Sequence, residues 1–208
     1  LIDEYCAKNK IKKRFCHVAE ADLKLYDNRY KTIKNIAEGW GDYIYKAEDL
    51  INLKGGNFIK IRNRVNHFKK SFPTYVYEDL NDNNILKAIK FMDKYSKQVV
   101  KDSKIFNEDV LKTYEVLENF DKYRLDGGCI LVDGNVVGFE IGETINNVLY
   151  IHIEKADRDY GGSYQVSYNE YIKHRANLDM FVNREDSSGD VGLSVSKERM
   201  NPYCIVEK

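Results

Sequence analysis

The sequence has little of several features that would narrow its class. It contains only two prolines, Pro73 and Pro202, and shows no low-complexity linker and no internal repeat. Its 33 basic residues are balanced by 33 acidic residues, so no global charge attracts it to nucleic acid or to an anionic membrane. No apolar run approaches the ~20 residues that a transmembrane helix needs. Any affinity for a polyanion must therefore come from a local cluster of basic residues.

Cysteine is also scarce. Cys6, Cys16, Cys129 and Cys204 lie far apart, form no CxxC pair and are accompanied by only four histidines. This spacing favours free thiols in a reducing compartment over a zinc site or a disulfide framework, so we expect a cytoplasmic protein without a metal site. No signal peptide is visible, and the chain begins with Leu1 rather than methionine. Because the opening residues already resemble a helix that runs into a strand, we expect a further N-terminal part to precede them.

Hydrophobic periodicity predicts a mixture of helices and strands. The predicted helices cover residues 1–10, 21–30, 56–71, 163–175 and 191–200, and two more are marked by the apolar stripes Ile85, Ile89, Met92, Ser96, Val99 and Val110, Tyr114, Leu117. The predicted strands cover residues 14–18, 42–45, 74–77, 129–132, 136–141, 148–153, 180–182 and 203–206.

Three of these strands, between residues 126 and 156, form the most informative part of the chain. Asp133-Gly134-Asn135 and Asn146-Asn147 provide the positive φ angles of tight hairpins, so the strands form an antiparallel meander. The third strand runs into a loop with Gly161 and Gly162, and a helix follows. Such a loop presents free backbone N–H groups, which suit an anionic or carbonyl-bearing ligand. This order of elements resembles the GNAT acyltransferase fold around its acyl-donor site.

A basic helix precedes the meander. No acidic residue lies between Asp49 and Glu78, and an apolar stripe with spacings of 3 and 4 seats the helix on the core: Phe58, Ile61, Val65, Phe68 and Phe72. The basic residues that project from its other faces are Lys54, Lys60, Arg62, Arg64, Lys69 and Lys70. Three interpretations of this face stay open: an ordinary solvated surface, contact with an RNA backbone, or contact with anionic lipid head groups.

Longer motifs resemble a known family. Residues 53–80, LKGGNFIKIRNRVNHFKKSFPTYVYEDL, are similar to the segment KxxKKRNxINxFKKxYPxYxYExL of bacterial proteins that carry the phosphatidylglycerol lysyltransferase C-terminal domain, and distantly to a segment of the Fem peptidyltransferases. The resemblance continues in VDGNVVGFEIGE, in LYIHIEKADRDYGGSYQVSYNEY and in VNREDSSGDVGLSVSKERMNPYCIVEK. It implies an α+β fold of tandem GNAT-like domains, in which a mixed sheet with an antiparallel meander is flanked by helices.

The resemblance also implies a division of the chain and an activity. Residues 1–80 would be the C-terminal part of a truncated first GNAT-like unit that includes the basic helix, and residues 81–208 a second, complete unit. The implied activity is transfer of an aminoacyl group, often lysyl, from aminoacyl-tRNA to a lipid, peptide or small-molecule acceptor, without a cofactor. Membrane-bound members of the family aminoacylate phosphatidylglycerol. We therefore expect a cytoplasmic protein, or one that is peripheral to an anionic membrane. No feature of the sequence indicates an oligomeric state.

Two alternative functions remain at this point. One is an N-acetyltransferase of the GNAT type that uses acetyl-CoA, because Arg158-x-x-Gly161-x-Ser163 resembles the coenzyme A pyrophosphate signature of that fold except for its final serine. The other is a GNAT-fold module that has lost catalysis and binds an amino acid or RNA. The basic helix favours the aminoacyltransferase, because a small-molecule acetyltransferase has no use for it.

The candidate catalytic residues lie at the end of the third meander strand. His152 and Glu154 end the third meander strand, and period-two alternation places them on one face. Aminoacyl transfer needs a base, a polarised ester carbonyl and a bound α-ammonium, and Glu154 is the predicted base or ammonium anchor. We expect Glu154→Gln to reduce transfer with little effect on stability.

Candidate substrate-binding residues follow the strand at 180–182. In the polar run at residues 183–186, Glu185 or Asp186 would bind an ammonium group and Arg184 a phosphate or carboxylate. A solvated turn is an equally good interpretation of residues 183–186. Because the third meander strand and this strand splay apart in GNAT-like sheets, we expect Glu154 and residues 184–186 to face one cleft. Two carboxylates there would repel each other, which would raise the pKa of at least one of them.

Five further residues are predicted to bind substrate. They are Arg158, Gly161, Gly162, Asn169 and Lys197. Lys197 matches a lysine of the family pattern, whereas the basic pair that the family carries after its C-terminal glycines is replaced here by Ser194-Val195.

Overall fold

The computed structural model describes residues 1–13, 15, 18, 20–26, 40–98 and 104–207. Helix α1 (Ile2–Lys8) confirms the first predicted helix, and a 3₁₀ helix covers Glu20–Leu25. The predicted strand at 14–18, the end of the predicted helix at 21–30, Cys16 and Val99 lie wholly or largely outside the described residues.

The other elements follow the predicted order closely. The helices are α2 (Ala47–Asn52), α3 (Ile59–Ser71), α4 (Ile85–Gln98), α5 (Lys104–Glu118), α6 (Phe120–Tyr123), α7 (Ser163–Arg175) and α8 (Val191–Glu198). The strands are β1 (Asp42–Lys46), β2 (Val76–Asp79), β3 (Asp126–Val132), β4 (Asn135–Ile145), β5 (Val148–Ala156), β6 (Phe181–Asn183) and β7 (Cys204–Val206). No helix within these described ranges is long and apolar enough to span a bilayer.

The strands form one seven-stranded sheet in the order β2-β3-β4-β5-β6-β1-β7. Strands β3, β4 and β5 form the predicted antiparallel meander. Only the β5–β6 pair is parallel among the pairs in this sheet, so the fold is of the mixed α+β class that the sequence predicts.

The sheet is continuous across the domain boundary predicted near residue 80. Strand β1 lies between β6 and β7, and β2 pairs with β3, although both β1 and β2 precede that boundary. Residues 42–79 and 126–206 therefore share one sheet, and residue 80 is not a break in it. The assignment of residues 1–80 to a first GNAT-like unit stays a prediction.

Two apolar layers cover the two faces of the sheet. On one face, α2, α3 and α7 pack against residues such as Ile130, Val137 and Leu149. On the other face, α4 and α5 pack against Leu131 and Phe139. Because successive side chains of a strand alternate between faces, each central strand contributes to both layers.

Strand β5 is irregular at the point where the sheet opens. It pairs with β6 only at Val148–Tyr150, and its later residues have no β6 partner. Its pairing with β4 shifts where Gly142 faces Ile151 and Ile141 faces Ile153. Such a bulge bends the strand. Strand β5 therefore continues beyond the end of β6, and the gap at which the sequence predicts a splay begins beside the bulge.

Candidate functional site

An ion pair bridges the splay between β5 and the end of β6. Arg184 follows β6, and its backbone N–H donates to the carbonyl of Tyr43, which fixes its position beside β1. Its guanidinium donates to both carboxylate oxygens of Glu154, with Nε–Oε2 at 3.1 Å and Nη2–Oε1 at 2.6 Å. The Arg184 side chain is 6% exposed and that of Glu154 is 21% exposed. Glu154 and Arg184, the first residue after β6, therefore lie together.

Aromatic rings enclose the guanidinium. The Tyr168 ring centre lies 4.9 Å from Arg184 Cζ, and the Tyr45 ring centre lies 5.8 Å away, so both contacts have a cation–π component. Burial raises the pKa of both phenols, so their hydroxyls stay neutral at physiological pH. Arg184 Nη1 also contacts the Met200 sulfur. These neighbours hold the guanidinium in place.

Lys197 positions the loop that carries Arg184. Asp190 caps the N-terminus of α8 by accepting from the Leu193 N–H at 2.7 Å. Lys197 on this helix is buried, and its Nζ contacts the backbone carbonyls of Arg184, Glu185 and Asp186. An ammonium group has three donors, and these three carbonyls use all of them. Burial, followed by the nearby Arg184 charge, lowers the pKa of Lys197 to about 8. Here Lys197 holds protein carbonyls in place of the predicted substrate.

His152 lies between two half-exposed carboxylates at the mouth of the splay. Its Nδ1 is 2.7 Å from Glu185 Oε1, and its Nε2 is 3.2 Å from Glu143 Oε1. The hydrogen bond to Glu185 outweighs burial and raises the pKa of His152. A protonated histidine between two carboxylates leaves one net negative charge. This accessible cluster therefore suits a cationic ligand, and Glu143 is a member that the sequence analysis missed.

The alternation used to place His152 and Glu154 on one face fails at the bulge. Ile151 packs in the layer under α7, whereas Ile153, two residues later, packs in the layer under α4. Residues two apart in a regular strand would share a face. His152 and Glu154 consequently belong to two separate pairs, one with Glu185 and one with Arg184.

The predicted pair of free carboxylates is also corrected. Glu154 is bound by Arg184, and Glu185 is bound by His152. The Asp186 Oδ1 atom accepts from the backbone N–H and the hydroxyl of Ser188, at 2.8 and 3.1 Å, which is a local turn contact. The three side chains therefore do not converge on one point, because each has a different partner.

The glycine turn before α7 serves helix packing. Gly162 has φ +95°, and a Cβ there would lie 2.3 Å from the Arg64 carbonyl oxygen. A Cβ on Gly161 would lie 3.3 Å from His67 Nε2. Helix α3 therefore packs against Gly162 of the turn that the sequence predicts to bind an anionic or carbonyl-bearing ligand, and glycine is required at Gly162 because the two helices approach so closely, whereas Gly161 is exposed. Arg158, the first residue of the coenzyme A-like signature, is exposed.

Asn169 is a structural residue rather than a substrate ligand. It is 1% exposed, and its Nδ2 donates to the carbonyls of Leu50 and Ile51 at 2.6 and 3.2 Å. These carbonyls belong to the last turn of α2, which a helix leaves without internal partners. Asn169 thus joins α7 to α2.

The six basic residues predicted to bind nucleic acid lie in or just before helix α3, and they fall into a bound group and a free group. Arg62 Nη1 lies 3.3 Å from the Gly55 carbonyl and also binds the Leu53 carbonyl, and Lys69 pairs with Glu170 at 2.7 Å. The remaining four side chains are exposed and have no ion pair with any described residue: Lys54, Lys60, Arg64 and Lys70. We call these four residues the basic face. Two of the six predicted nucleic-acid contacts are therefore used within the protein.

A second carboxyl lies directly behind the ion pair. Glu140 on β4 pairs in register with Glu154 on β5 and is 0% exposed. Neither of its carboxyl oxygens has a hydrogen-bond partner among the described residues. Burial, followed by repulsion from Glu154, raises the pKa of Glu140 well above its ordinary value. The sequence analysis missed Glu140, although an acidic residue inside the apolar strand VVGFEIGE is a visible signal.

The comparisons with known proteins now place this geometry in a family. Residues 2–182 match the family described as phosphatidylglycerol lysyltransferase, C-terminal. The chain belongs to that family. The matched range includes Glu140, His152 and Glu154, whereas Arg184 and Lys197 follow it.

Solved structures agree with this placement. A conserved protein of unknown function from Bacteroides thetaiotaomicron has a TM-score of 0.83 and 29% identity, with coverage of 98% of this chain and 70% of that one. The C-terminal domain of a presumed lysylphosphatidylglycerol synthetase from Agrobacterium fabrum has a TM-score of 0.68 and 11% identity, with 98% and 68% coverage. FemX has a TM-score of 0.61 and 10% identity, with 90% and 67% coverage. The fold is therefore the GNAT-like fold of these proteins.

One sequence relative is longer than this chain. An uncharacterized protein of Mycoplasmoides gallisepticum is 21% identical over 187 residues, which cover 90% of this chain and 60% of that protein. The chain thus spans 60% of the length of that relative. Family and fold together place the chain among the GNAT-like proteins.

The splay has the parts that acyl transfer needs. Beyond Tyr150, β5 presents backbone groups on an edge that β6 does not cover, and such groups can bind a carbonyl oxygen. Charged side chains of both signs surround this edge. Among the residues that the structure describes, no group of three or more His, Cys, Asp or Glu side chains is arranged to hold a metal ion.

Proposed function

We propose that this protein is an aminoacyltransferase that moves an aminoacyl group from aminoacyl-tRNA to an acceptor amine or hydroxyl at the splay between β5 and β6. The observation that carries the proposal is the splay itself. It combines an uncovered strand edge for the ester carbonyl with carboxylates for an ammonium group, in a chain of the lysyltransferase family. Because the ester of aminoacyl-tRNA is already activated, correct positioning supplies much of the rate.

Three groups receive roles in this proposal. The uncovered backbone edge of β5 polarises the ester carbonyl. The half-exposed carboxylates of Glu185 and Glu143 bind the α-ammonium of the aminoacyl group, since with protonated His152 they leave one net negative charge. Glu154 accepts a hydrogen bond from the attacking group, because a carboxylate has about four lone-pair directions and Arg184 does not use them all.

The basic face of α3 is proposed to bind the RNA backbone of the donor. Helix α3 packs on the first turn of α7, and α7 also carries Tyr168 beside Arg184. A tRNA acceptor arm that reaches the splay would therefore pass close to this positively charged surface. Phosphate contact releases counterions, so the affinity should depend strongly on salt.

Transfer itself is tested with charged tRNA mixtures. The protein is incubated with tRNA that carries labelled amino acids, and the label is followed into lipid, peptide and small-molecule fractions. We expect the label to leave the tRNA and to appear in one of these fractions, and Glu154→Gln to reduce the rate at least tenfold. Retention of all label on the tRNA, with every acceptor fraction empty, would contradict the proposal.

RNA binding is tested with matched charge reversals. Lys60→Glu, Arg64→Glu and Lys70→Glu together remove three cations of the basic face. The control is Lys87→Glu, Lys90→Glu and Lys97→Glu on α4, because these lysines are exposed, lie on the opposite side of the sheet and change the net charge equally. The first triple variant should weaken tRNA binding and flatten its salt dependence by roughly one unit per lost phosphate contact. Equal effects of the two triple variants would show that only net charge matters.

The acetyl-CoA alternative has less support. Within the glycine turn that would hold a pyrophosphate, Gly162 is buried against α3 and accounted for by helix packing. A coenzyme at ~100-fold excess over its dissociation constant would add about 2.7 kcal/mol of stability. We therefore expect no large thermal shift with acetyl-CoA, and a shift of several degrees would favour the acetyltransferase instead.

A further inference from the structure

A stacked pair of aromatic rings lies at the surface where α7 ends. The His174 ring lies flat on the Tyr77 ring of β2, with ring centres 4.0 Å apart and planes 10° from parallel. His174 is an exposed residue, so the ring face that does not contact Tyr77 is open to solvent. No step of the proposed transfer uses this pair. An open aromatic face of this kind can stack a further planar ring.

Contacts with the protein hold both rings in place. His174 Nδ1 lies 2.8 Å from the Glu170 carbonyl one turn earlier, and it donates to that carbonyl because a carbonyl oxygen only accepts. Tyr77 lies against the backbone of β3 at Gly128, where a Cβ would be 2.2 Å from the tyrosine hydroxyl oxygen. Both rings are thus fixed before a ligand arrives, and a preorganised surface loses less conformational entropy on binding.

The surroundings of the pair carry a positive charge. Lys69 and Lys173 share the one carboxylate of Glu170, with N–O distances of 2.7 and 3.5 Å, which leaves one net positive charge beside His174. Lys70, a member of the basic face, follows Lys69 and is exposed. Aromatic rings next to cations are the combination that proteins use to bind single-stranded nucleic acid.

The basic face of α3 leads from the splay to this pair. Helices α3 and α7 run side by side in the same direction, since Arg64 lies against Gly162 at the start of α7 and Lys69 pairs with Glu170 further along both helices. Tyr168, which contacts Arg184 at the splay, precedes His174 by six residues, about 9 Å along the axis of α7. A single strand that ends at the splay can therefore reach the pair while its phosphates follow α3.

A nucleobase fits this surface better than other phosphate-bearing ligands. It has a flat π-face that can stack on the open face of His174, and the phosphate next to it is attracted by the neighbouring lysines. A lipid head group has the phosphate but no planar ring. A base inside a duplex is stacked on both sides by its neighbours, so only an unpaired nucleotide can stack here.

We propose that the Tyr77–His174 pair stacks an unpaired nucleobase close to the aminoacylated end of the donor RNA. This inference rests on the proposed function and adds a base contact to the phosphate contacts of the basic face. The stacked base fixes the position of the single strand on α7, and the ester then lies at the splay. Because every base has a π-face, the contact does not depend on which base occupies it.

An abasic scan tests the inference. The probe is a single-stranded oligoribonucleotide with the sequence of a tRNA 3′ end, and an abasic ribose replaces each nucleotide in turn, which removes the base and keeps the phosphate. For the wild type, removal of the base at one position should weaken binding by about five- to a hundredfold. For His174→Ala, no position should show this loss. A wild type that fails to bind the unmodified strand or tolerates every abasic replacement, or an unchanged scan with His174→Ala, would overturn the inference.

Matched variants separate the ring from the charge. His174→Tyr keeps an aromatic ring on Tyr77 and should retain the scan of the wild type, and so should His67→Ala, which removes another exposed histidine. Lys70→Glu removes a phosphate contact and should flatten the salt dependence by about one unit, whereas His174→Ala should leave the salt dependence unchanged because stacking releases no counterion. A flatter salt dependence with His174→Ala would assign His174 to phosphate contact and overturn the stacking role.

The scan and the transfer assay can fail separately. If the scan depends on His174 but no charged tRNA gives up its label, the proposed function fails and the base contact stands as an RNA-binding site. If transfer occurs, and His174→Ala changes neither the scan nor the KM for charged tRNA, the base contact fails alone. Thermal midpoints of the variants, which should lie close to that of the wild type because both histidines are exposed, show that each variant is folded.

Discussion

The two faces of the sheet bury different kinds of side chains. Against α4 and α5 the sheet presents apolar residues such as Phe139, Ile141 and Ile153, and its polar contact Lys155–Asp109 has a half-exposed carboxylate. Under α7 it presents Glu140 and Glu154 among the apolar residues. Two faces of the same three strands therefore have different energetic roles.

The difference shows where the fold gains stability and where it gives stability up. An apolar layer gains about 25 cal/mol for each Å² that it removes from water. A buried ion pair roughly breaks even, and an unsatisfied buried carboxyl is unfavourable. We infer that the layer under α4 and α5 stabilises the layer under α7, where the groups needed for binding are kept.

The largest expected effect is a truncation in the apolar layer. Phe139 is fully buried and meets Phe91 edge-to-face, with ring centres 5.8 Å apart. Phe139→Ala should lower the free energy of unfolding by about 3–5 kcal/mol, since it removes contacts and leaves a cavity. Chemical denaturation measures this loss, and Phe139→Leu should lose less. A loss below about 1 kcal/mol would mean that this layer is not the main source of stability.

The next effect comes from breaking the ion pair in the polar layer. Glu154→Gln leaves the buried Arg184 guanidinium without its counter-charge, so we expect a loss of about 2–3 kcal/mol. The sequence alone leads to a different expectation, in which replacement of the partly exposed Glu154 leaves stability nearly unchanged, and the measurement decides between the two. Glu143→Gln is the matched control, because its carboxylate is 40% exposed and should cost less than about 1 kcal/mol. Equal losses for the two variants would contradict the structural role of the pair.

A third effect is a pH dependence that belongs to Glu140. Its pKa is raised in the folded protein, so above about pH 4.3 the unfolded chain has lost a proton that the folded chain keeps. The free energy of unfolding should therefore fall as the pH rises, by up to about 1.4 kcal/mol per pH unit, until the folded-state pKa is passed. Glu140→Gln should remove this decline, which denaturation curves between about pH 5 and about pH 8 would measure. Parallel declines for both proteins would show that Glu140 does not titrate in this way.

The smallest effect distinguishes two buried tyrosines. The Tyr168 hydroxyl has no hydrogen bond to a described residue, whereas the Tyr45 hydroxyl donates to the Lys197 carbonyl at 2.8 Å. Tyr168→Phe should change stability by less than about 0.5 kcal/mol or increase it, and Tyr45→Phe should lose about 1 kcal/mol. The difference between the two thermal midpoints measures this contrast. If Tyr168→Phe is the more damaging change, its hydroxyl has a partner in solution.

Much of the fold follows from local sequence pattern. Helix α7 and the meander have the predicted bounds within a few residues, because their periodicity and hairpin turns are strong local signals. Helix α2 was missed, since six residues are too few for a periodic pattern. The bulge in β5 was missed as well, because its cause lies in pairing with β4 and not in its own sequence.

The site was predictable in its location and not in its pairings. Arg184 lies beside Glu154, whereas Glu185 and Asp186 have other partners. That Arg184 binds Glu154 follows only from the depth at which both side chains are buried. Lys197 and Asn169 were taken for substrate ligands because polar residues in a family motif have the same appearance whether they bind a ligand or a backbone carbonyl.

The place of β1 in the sheet has a consequence for synthesis of the chain. Ile44 pairs with Asn183 on one side and with Cys204 on the other, so β1 cannot complete its pairing while it emerges from the ribosome. Contacts between residues so distant in sequence form slowly and leave strand edges exposed in the meantime. The meander β3–β5 can pair locally and form first, whereas β1 can pair only after β6 and β7 have been synthesised. Nascent chains that stall before Cys204–Val206 would expose an unpaired β1 edge, so they are the species in which we expect misassembly to begin.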